Sequence, residues 1–162
     1  MFTTDRLNLQ TIVSGGQTGV DRGALEAAIH LGIPHGGWCP RGRLAEDGRI
    51  PDRYQLREGQ SADYPWRTEQ NVIDSDGTLI LYRRRISGGT QLTLRLARER
   101  GKPCRCVDLT GEPEIDAIRA WLTEQGIEVL NVAGPRESSA PGIEQQAFDF
   151  LCRCLGANGT PA

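Results

Sequence analysis

No run in the 162-residue sequence approaches the roughly 20 apolar residues of a membrane span, and Met1-Phe2-Thr3-Thr4-Asp5-Arg6 lacks the apolar stretch of a secretory signal. A cytoplasmic protein with no membrane partner is the expectation. Neither sign of charge prevails, since 19 Lys and Arg face 21 Asp and Glu for a net charge of -2. A nucleic-acid polymer requires a broad basic face, so none is expected as a partner. Five cysteines are an odd number, which argues for free thiols rather than a disulfide framework. There are only two histidines, neither near Cys104 and Cys106, and no transition-metal site is expected. Also missing are the Gly-x-Gly-x-x-Gly dinucleotide fingerprint, the Gly-Lys-Ser/Thr ending of a nucleotide P-loop, and any Ser/His/Asp spacing that supports a triad.

What is present has the composition of a globular chain, 38% hydrophobic and 25% charged. The length suits one domain, 1–162, and is short for two. Glycine is plentiful and placed with a pattern. Ser14-Gly15-Gly16-Gln17-Thr18-Gly19, Ser87-Gly88-Gly89-Thr90 and Ala133-Gly134-Pro135-Arg136-Glu137-Ser138 each follow a short apolar run and precede a helical stretch.

Thr11 to Ser14 reads as a buried strand, after which Val20, Ala24, Ala28 and Leu31 recur at helical spacing until Gly32 and Pro34. The unit repeats in Thr78 to Tyr82 with Leu92, Leu96 and Ala97, in Cys104 to Leu109 with Ile115, Ile118, Trp121 and Leu122, and in Ile127 to Val132 with Ile143, Ala147, Phe150 and Leu151. Alternating strands and helices predict an α/β fold, a parallel sheet with helices on both faces. Gly36 to Cys39 reads as a further short strand, and residues before Thr11 and after Gly156 as tails. Pro40 to Pro65 shows no sustained period. A stretch that long is functional or disordered in a compact domain. Trp38, Tyr54, Tyr64 and Trp66 favour an ordered loop beside the ligand.

In open parallel sheets ligands sit beyond the carboxyl ends of the strands, which is where the three turns would meet. Two readings of each turn stand. Glycine permits a tight strand-to-helix connection for backbone reasons alone; free NH groups at a helix N-terminus also cradle a phosphate. Asp21 either complements the first helix dipole or accepts from a ligand hydroxyl or ring NH. Thr18 either caps that helix or donates to phosphate. Arg83 to Arg85 and Arg136 are either solvated or face the anion. Arg41, Arg43 and Arg49 alternate with Glu46 and Asp47, as surface pairs or as a lid over an anion, with Arg41 and Arg43 the better placed. Asp74 and Asp76 read as turn formers or as a metal site near phosphate. Cys39 is the thiol beside the loop.

The stretches Ile12 to Ala24, Gly36 to Arg43, Ala45 to Gly48, Arg67 to Val72, Ser87 to Thr90 and Asn131 to Ser138 resemble, in the same order, the motifs of the putative molybdenum carrier family. That resemblance implies a Rossmann-like fold, distantly related to cytokinin-activating phosphoribohydrolases. It implies binding, storage or delivery of an anionic molybdopterin cofactor as cargo, with molybdoenzymes as recipients. The candidate contacts are Gly15, Gly16, Gln17, Thr18, Asp21, Arg41, Arg43, Ser87, Gly88, Gly89, Thr90, Gly134 and Arg136. The relatives' hydrolase pattern Pro-Gly-Gly-x-Gly-Thr-x-x-Glu is not matched: Ser87 to Thr93 lacks its proline, third glycine and acidic residue. A non-catalytic binding protein is therefore the first reading, with no catalytic residue assigned. Two rivals stand beside it: a nucleotide or phosphoribosyl-compound hydrolase using Asp21, Glu46 or Glu69, and a nucleotide-sensing module. Related folds often self-associate, so a homo-oligomer is expected.

Overall fold

The computed structural model describes residues 7–156. The elements in chain order are β1 (Thr11–Val13), α1 (Val20–Leu31), β2 (His35–Gly36), β3 (Trp38–Cys39), β4 (Leu44–Ala45), β5 (Gly48–Arg49), β6 (Arg57–Glu58), α2 (Tyr64–Asp74), β7 (Gly77–Tyr82), α3 (Gly88–Glu99), β8 (Cys104–Asp108), α4 (Ile115–Glu124), β9 (Val129–Ala133) and α5 (Ile143–Leu155). The expected tails only partly coincide with residues 1–6 and 157–162, which lie outside the described residues, as does the Met1–Arg6 reading. Residues 7–10 are not a tail. Leu7 and Leu9 pack against the core, and the Gln10 NH donates to the Glu128 carbonyl at 2.8 Å.

Five strands form one parallel sheet in the order β2-β1-β9-β7-β8. The chain first builds outward on one side, β1 to β2. It then builds outward on the other, β7 to β8, and returns to the middle with β9. A chain counted from β9 would have the strand order 3-2-1-4-5, the Rossmann order. The sheet is thus the expected α/β Rossmann-like fold with its central strand supplied last.

The apolar runs act as predicted. On one face Leu79, Leu81, Leu130 and Val132 meet Val20, Ala24 and Ala28 of α1, Ile118 and Leu122 of α4, and Ile143, Ala147 and Leu151 of α5. Small side chains on α1 allow it to lie close along α5, with Gly23 directly against the α5 backbone at Glu144. The other face is covered by α2 and α3 through Val72, Leu96 and Ala97. Gly32, in the left-handed conformation, ends α1 by returning its NH to Ala28 and Ile29.

Two expectations need correction. The Gly36–Cys39 run is not one strand: at Gly37, φ 125°, the chain leaves the main sheet, and Trp38 and Cys39 pair with Arg57 and Glu58 instead. A side chain at Gly37 would strike the Ser14 backbone. The supposed structureless stretch Pro40–Pro65 contains the β4–β5 hairpin and β6, and Tyr64 and Pro65 already belong to α2, where Pro65 occupies the first turn. Proline is tolerated there because that NH has no helical partner.

Gly134, just after β9, has no room for a methyl group: a β-carbon would collide with the Leu81 carbonyl and approach Val20 Cγ2 to 2.5 Å. Gly134→Ala is expected to lower unfolding stability by about 1–3 kcal/mol in urea titrations, the usual cost of overpacking. An unchanged midpoint would mean that β7, β9 and α1 are less closely packed at this edge.

Candidate functional site

Because all five strands run parallel, the segments that follow β1, β9 and β7 emerge on one edge. They enclose a cavity of about 440 Å³, within the range of small-molecule sites. The lining comes from Gly15, Gln17 and Asp21 after β1, from Arg85 and Ser87–Thr90 after β7, and from Gly134–Arg136, Ser138 and Ser139 after β9. Tyr64, Arg67, Thr68 and Asn71 of α2 supply a wall, with Asn131 of β9 and Thr93 of α3. Of the thirteen candidate contacts, Gly16, Thr18, Arg41 and Arg43 are not among the lining residues.

The three turns are not equivalent. In the first, the Gln17 NH donates to Asp21 Oδ2 at 3.1 Å, the Thr18 NH to Gln17 Oε1 at 3.0 Å, and the Val20 NH to the Pro135 carbonyl at 3.2 Å. In the third, the Glu137 NH donates to Thr18 Oγ1 and the Ser138 NH to Glu46 Oε1, both at 3.1 Å. Glu137 turns its carboxylate to the start of α5, accepting from Gly142 at 2.6 Å and Glu144 at 3.0 Å. These NH groups are already used within the protein. The second turn differs in degree: among the described residues no partner takes the NH groups of Gly88, Gly89 and Thr90, three in succession at the start of α3, whereas the first and third turns leave only some of theirs, at Gly15, Gly16, Gly19, Gly134 and Arg136, without one. It is the turn with the donors that suit an anion.

The long excursion between β3 and α2 is organised from its own side chains. Arg43 is buried at φ 54°. Its guanidinium donates to the carbonyls of Ile50, Pro51, Tyr54 and Leu56 at 2.8–3.3 Å. Arg43 is therefore the hub of this loop and not a lid over the cavity, and Arg41 is exposed outside the lining. The β4–β5 tip latches onto the turns. Glu46 accepts from the hydroxyls of Thr18 and Ser138, and its NH donates to Gln17 Oε1 at 2.9 Å. Asp47 accepts from the two terminal guanidinium nitrogens of Arg22 at 2.5 and 2.8 Å. Trp38 and Trp66 pack edge to face at 5.4 Å.

Other candidates have structural work. Arg83 bonds to Gln146 and Pro141, so Arg85 alone of the three arginines reaches the cavity. Asp74 accepts from the Trp38 indole at 2.7 Å, and Asp76 accepts the NH groups of Glu128 and Val129. Glu69 pairs with Arg100 away from the cavity. Cys39 is buried and its thiol is pushed up by burial.

Sequence reasoning missed the α2 wall. Arg67 is buried and donates to the Gly15 carbonyl at 2.7 Å, and it lies 4.0 Å from Asp21. Asn71 uses both amide atoms on the Trp38 backbone, at 2.7 and 3.0 Å. Two guanidiniums lie over the Tyr64 ring, Arg67 at 5.1 Å and Arg136 at 6.0 Å from its centre. Asp21 is the sole carboxylate in the lining, and burial raises its pKa against the opposing pull of Arg67. Gln17 completes the picture: its Oε1 accepts two NH groups, which fixes the amide orientation, and its Nε2 is the one buried side-chain polar atom without a partner among the described residues.

Residues 12–155 match the model of the circularly permutated YpsA SLOG family. The chain belongs to that family. The permutation agrees with the strand order, in which the central strand comes last. A solved structure from Syntrophus aciditrophicus, named a putative molybdenum carrier protein, is 44% identical and superposes with a TM-score of 0.89 over 95% of this chain and 99% of that one. None of the curated proteins matches. No helix among the described residues is long and apolar enough to cross a membrane.

Hydrogen bonds from Ser138 and Thr18 hold the Glu46 carboxyl below its ordinary pKa of 4.5, and Arg22 holds Asp47 below its ordinary 3.8. Folded values below unfolded ones mean that the latch contributes fully above the ordinary values and is lost as pH falls through the folded ones. Amide exchange over residues 40–57, corrected for intrinsic rates, should be slow at pH 7 and faster at pH 3. Equal protection at both would show that these carboxylates do not hold the loop.

Proposed function

We propose that this cavity binds an anionic, phosphate-bearing small molecule of the molybdopterin class and holds it without turnover. The observation that carries the reading is the open start of α3, facing a cavity bordered by Arg67, Arg85 and Arg136. The phosphate would take the NH groups of Gly88–Thr90 with Arg136 as counter-charge, while the ring would lie toward Tyr64 and Asp21. The name of the Syntrophus structure supports a molybdenum-related cargo. Cytoplasmic residence, self-association and hand-over to molybdoenzymes belong to the same proposal.

Native mass spectrometry of gently purified protein, before and after reconstitution with molybdopterin, tests it. Retention of one cofactor per binding site is expected, and failure to retain it refutes the cargo. Arg136→Ala should weaken binding about tenfold, the worth of one hydrogen bond to a charged group. Asp21→Asn should also weaken it, since the variant loses the charged acceptor at the inner end of the cavity.

One observation favours a second reading, cleavage of a nucleotide or phosphoribosyl compound. Asp21, with its raised pKa, stands in the cavity as a general acid would. Glu46 and Glu69, the other acids available, are engaged elsewhere. Release of free base from a nucleotide panel, abolished in Asp21→Asn, would establish hydrolysis in place of storage.

A further inference from the structure

The inner end of the cavity holds a donor that the protein leaves unpaired. Gln17 is 6% exposed and borders the cavity. Its Oε1 accepts the NH groups of Thr18 and Glu46 at 3.0 and 2.9 Å, so the amide cannot be turned over. Its Nε2 is left without a partner among the described residues, and an unmet buried donor is costly enough to call for an explanation. Asp21 is bound into the same turn, its Oδ2 accepting the Gln17 NH at 3.1 Å. Arg67 lies 4.0 Å from that carboxylate, and its charge favours the ionised, accepting form. Other polar side chains of the lining are engaged: Thr68 and Thr93 donate to the carbonyls of Tyr64 and Gly89 at 2.9 and 3.1 Å, and Asn71 is bound to the Trp38 backbone. A carboxylate has sites beyond its one bond to Gln17, so one turn of chain offers a ligand an acceptor and a donor side by side.

Resting on the reading that this cavity holds a phosphate-bearing ring, we infer that its inner end selects one ring edge, the 2-amino-4-oxopyrimidine edge that pterin and guanine share, and that guanine nucleotides are therefore ligands of the same site. That edge presents an exocyclic amine, a ring NH and an oxo group in a row. The amine and the ring NH donate to the Asp21 carboxylate, and the oxo group beside them accepts from Gln17 Nε2. Adenine reverses the pattern: its bare ring nitrogen meets the carboxylate, acceptor against acceptor, and its amine meets Nε2, donor against donor. Hypoxanthine keeps the ring NH and the oxo group and lacks the amine. A site built around buried polar groups rejects a ligand that leaves them unpaired more strongly than it rewards one that pairs them.

Calorimetric titration with the 5′-monophosphates of guanosine, inosine and adenosine tests the inference without molybdopterin. The guanine nucleotide should bind best, the hypoxanthine one about tenfold more weakly, the worth of one hydrogen bond to a charged group, and the adenine one more weakly still. Equal binding of the three, or binding of none, would overturn the inference, whereas the carrier reading stands or falls on retention of molybdopterin. In Asp21→Asn the preference for guanine over hypoxanthine should shrink toward one. Gln17→Glu keeps an oxygen for the Thr18 and Glu46 NH groups and puts a second where Nε2 stood, so both oxo-bearing nucleotides should weaken about tenfold while the adenine one does not. Equal weakening of all three would remove Gln17 from the recognition. Protein reconstituted with molybdopterin separates the two sources of the edge. Excess guanine nucleotide should displace the cofactor in native mass spectra and adenine nucleotide should not; a retained cofactor that guanine nucleotide leaves in place would overturn the shared site and leave the carrier reading intact.

Discussion

The placement of β9 between β1 and β7 is the constraint on which the rest of the molecule depends. The first two strand units diverge from each other, and without β9 their carboxyl ends would not share an edge. Inserting it brings the first and third turns within hydrogen-bond distance of each other and sets the second beside them on the same cavity. That closeness demands glycine. Gly19 lies against the Pro135 backbone, Gly15 against the Arg67 guanidinium, and Gly134 against Leu81 and Val20. Much of the glycine in these turns therefore serves chain packing, and only part of it leaves backbone free for a ligand.

Two of the three turns use their donors on each other. Thr18 links the first to the third through Glu137, and Glu46 reaches across from the β4–β5 tip to join Thr18 and Ser138. Leaving a buried NH unpaired costs about 1–3 kcal/mol, so this mutual satisfaction steadies the edge of the cavity. It also removes those groups from competition for a ligand. The loop is held the same way, by one buried arginine whose donors are spread over four carbonyls. Arg43 and Glu46 form a frame around the site, built from charged residues where a larger protein would use apolar ones.

The sheet and four of the helices were legible because their buried faces are apolar and periodic. Leu79, Leu81, Leu130 and Val132 alternate as strands should, and α1 and α5 show their packing faces plainly. Helix α2 was not legible, for a reason tied to the site. Its buried positions are Arg67, Asn71 and Val72, two polar residues and one apolar, so no hydrophobic period announces it. Those polar residues bond to Gly15 and Trp38 across about 30–50 positions of sequence, a distance that no local pattern encodes. Arg43 escaped for the same reason. Its alternation with acidic residues reads as a solvated face, and its burial depends on carbonyls that converge only once the loop has folded. The Ser87–Thr90 turn was readable as glycine and hydroxyl chemistry; that the other two turns bond to each other was not.

On the proposed reading, the partition of charge also fixes the direction in which a ligand lies. Arg67 is buried and already committed to the Gly15 carbonyl, close to Asp21. Those two charges largely neutralise each other in the wall, where an unpaired charge would be expensive. Arg85 and Arg136 are exposed, so they keep their hydration until an anion arrives and lose little on meeting it. A phosphate therefore belongs at the outer end, between α3 and Arg136. The inner end presents Asp21 and the orphan amide of Gln17, an acceptor and a donor that suit the polar edge of a flat ring better than a second anion.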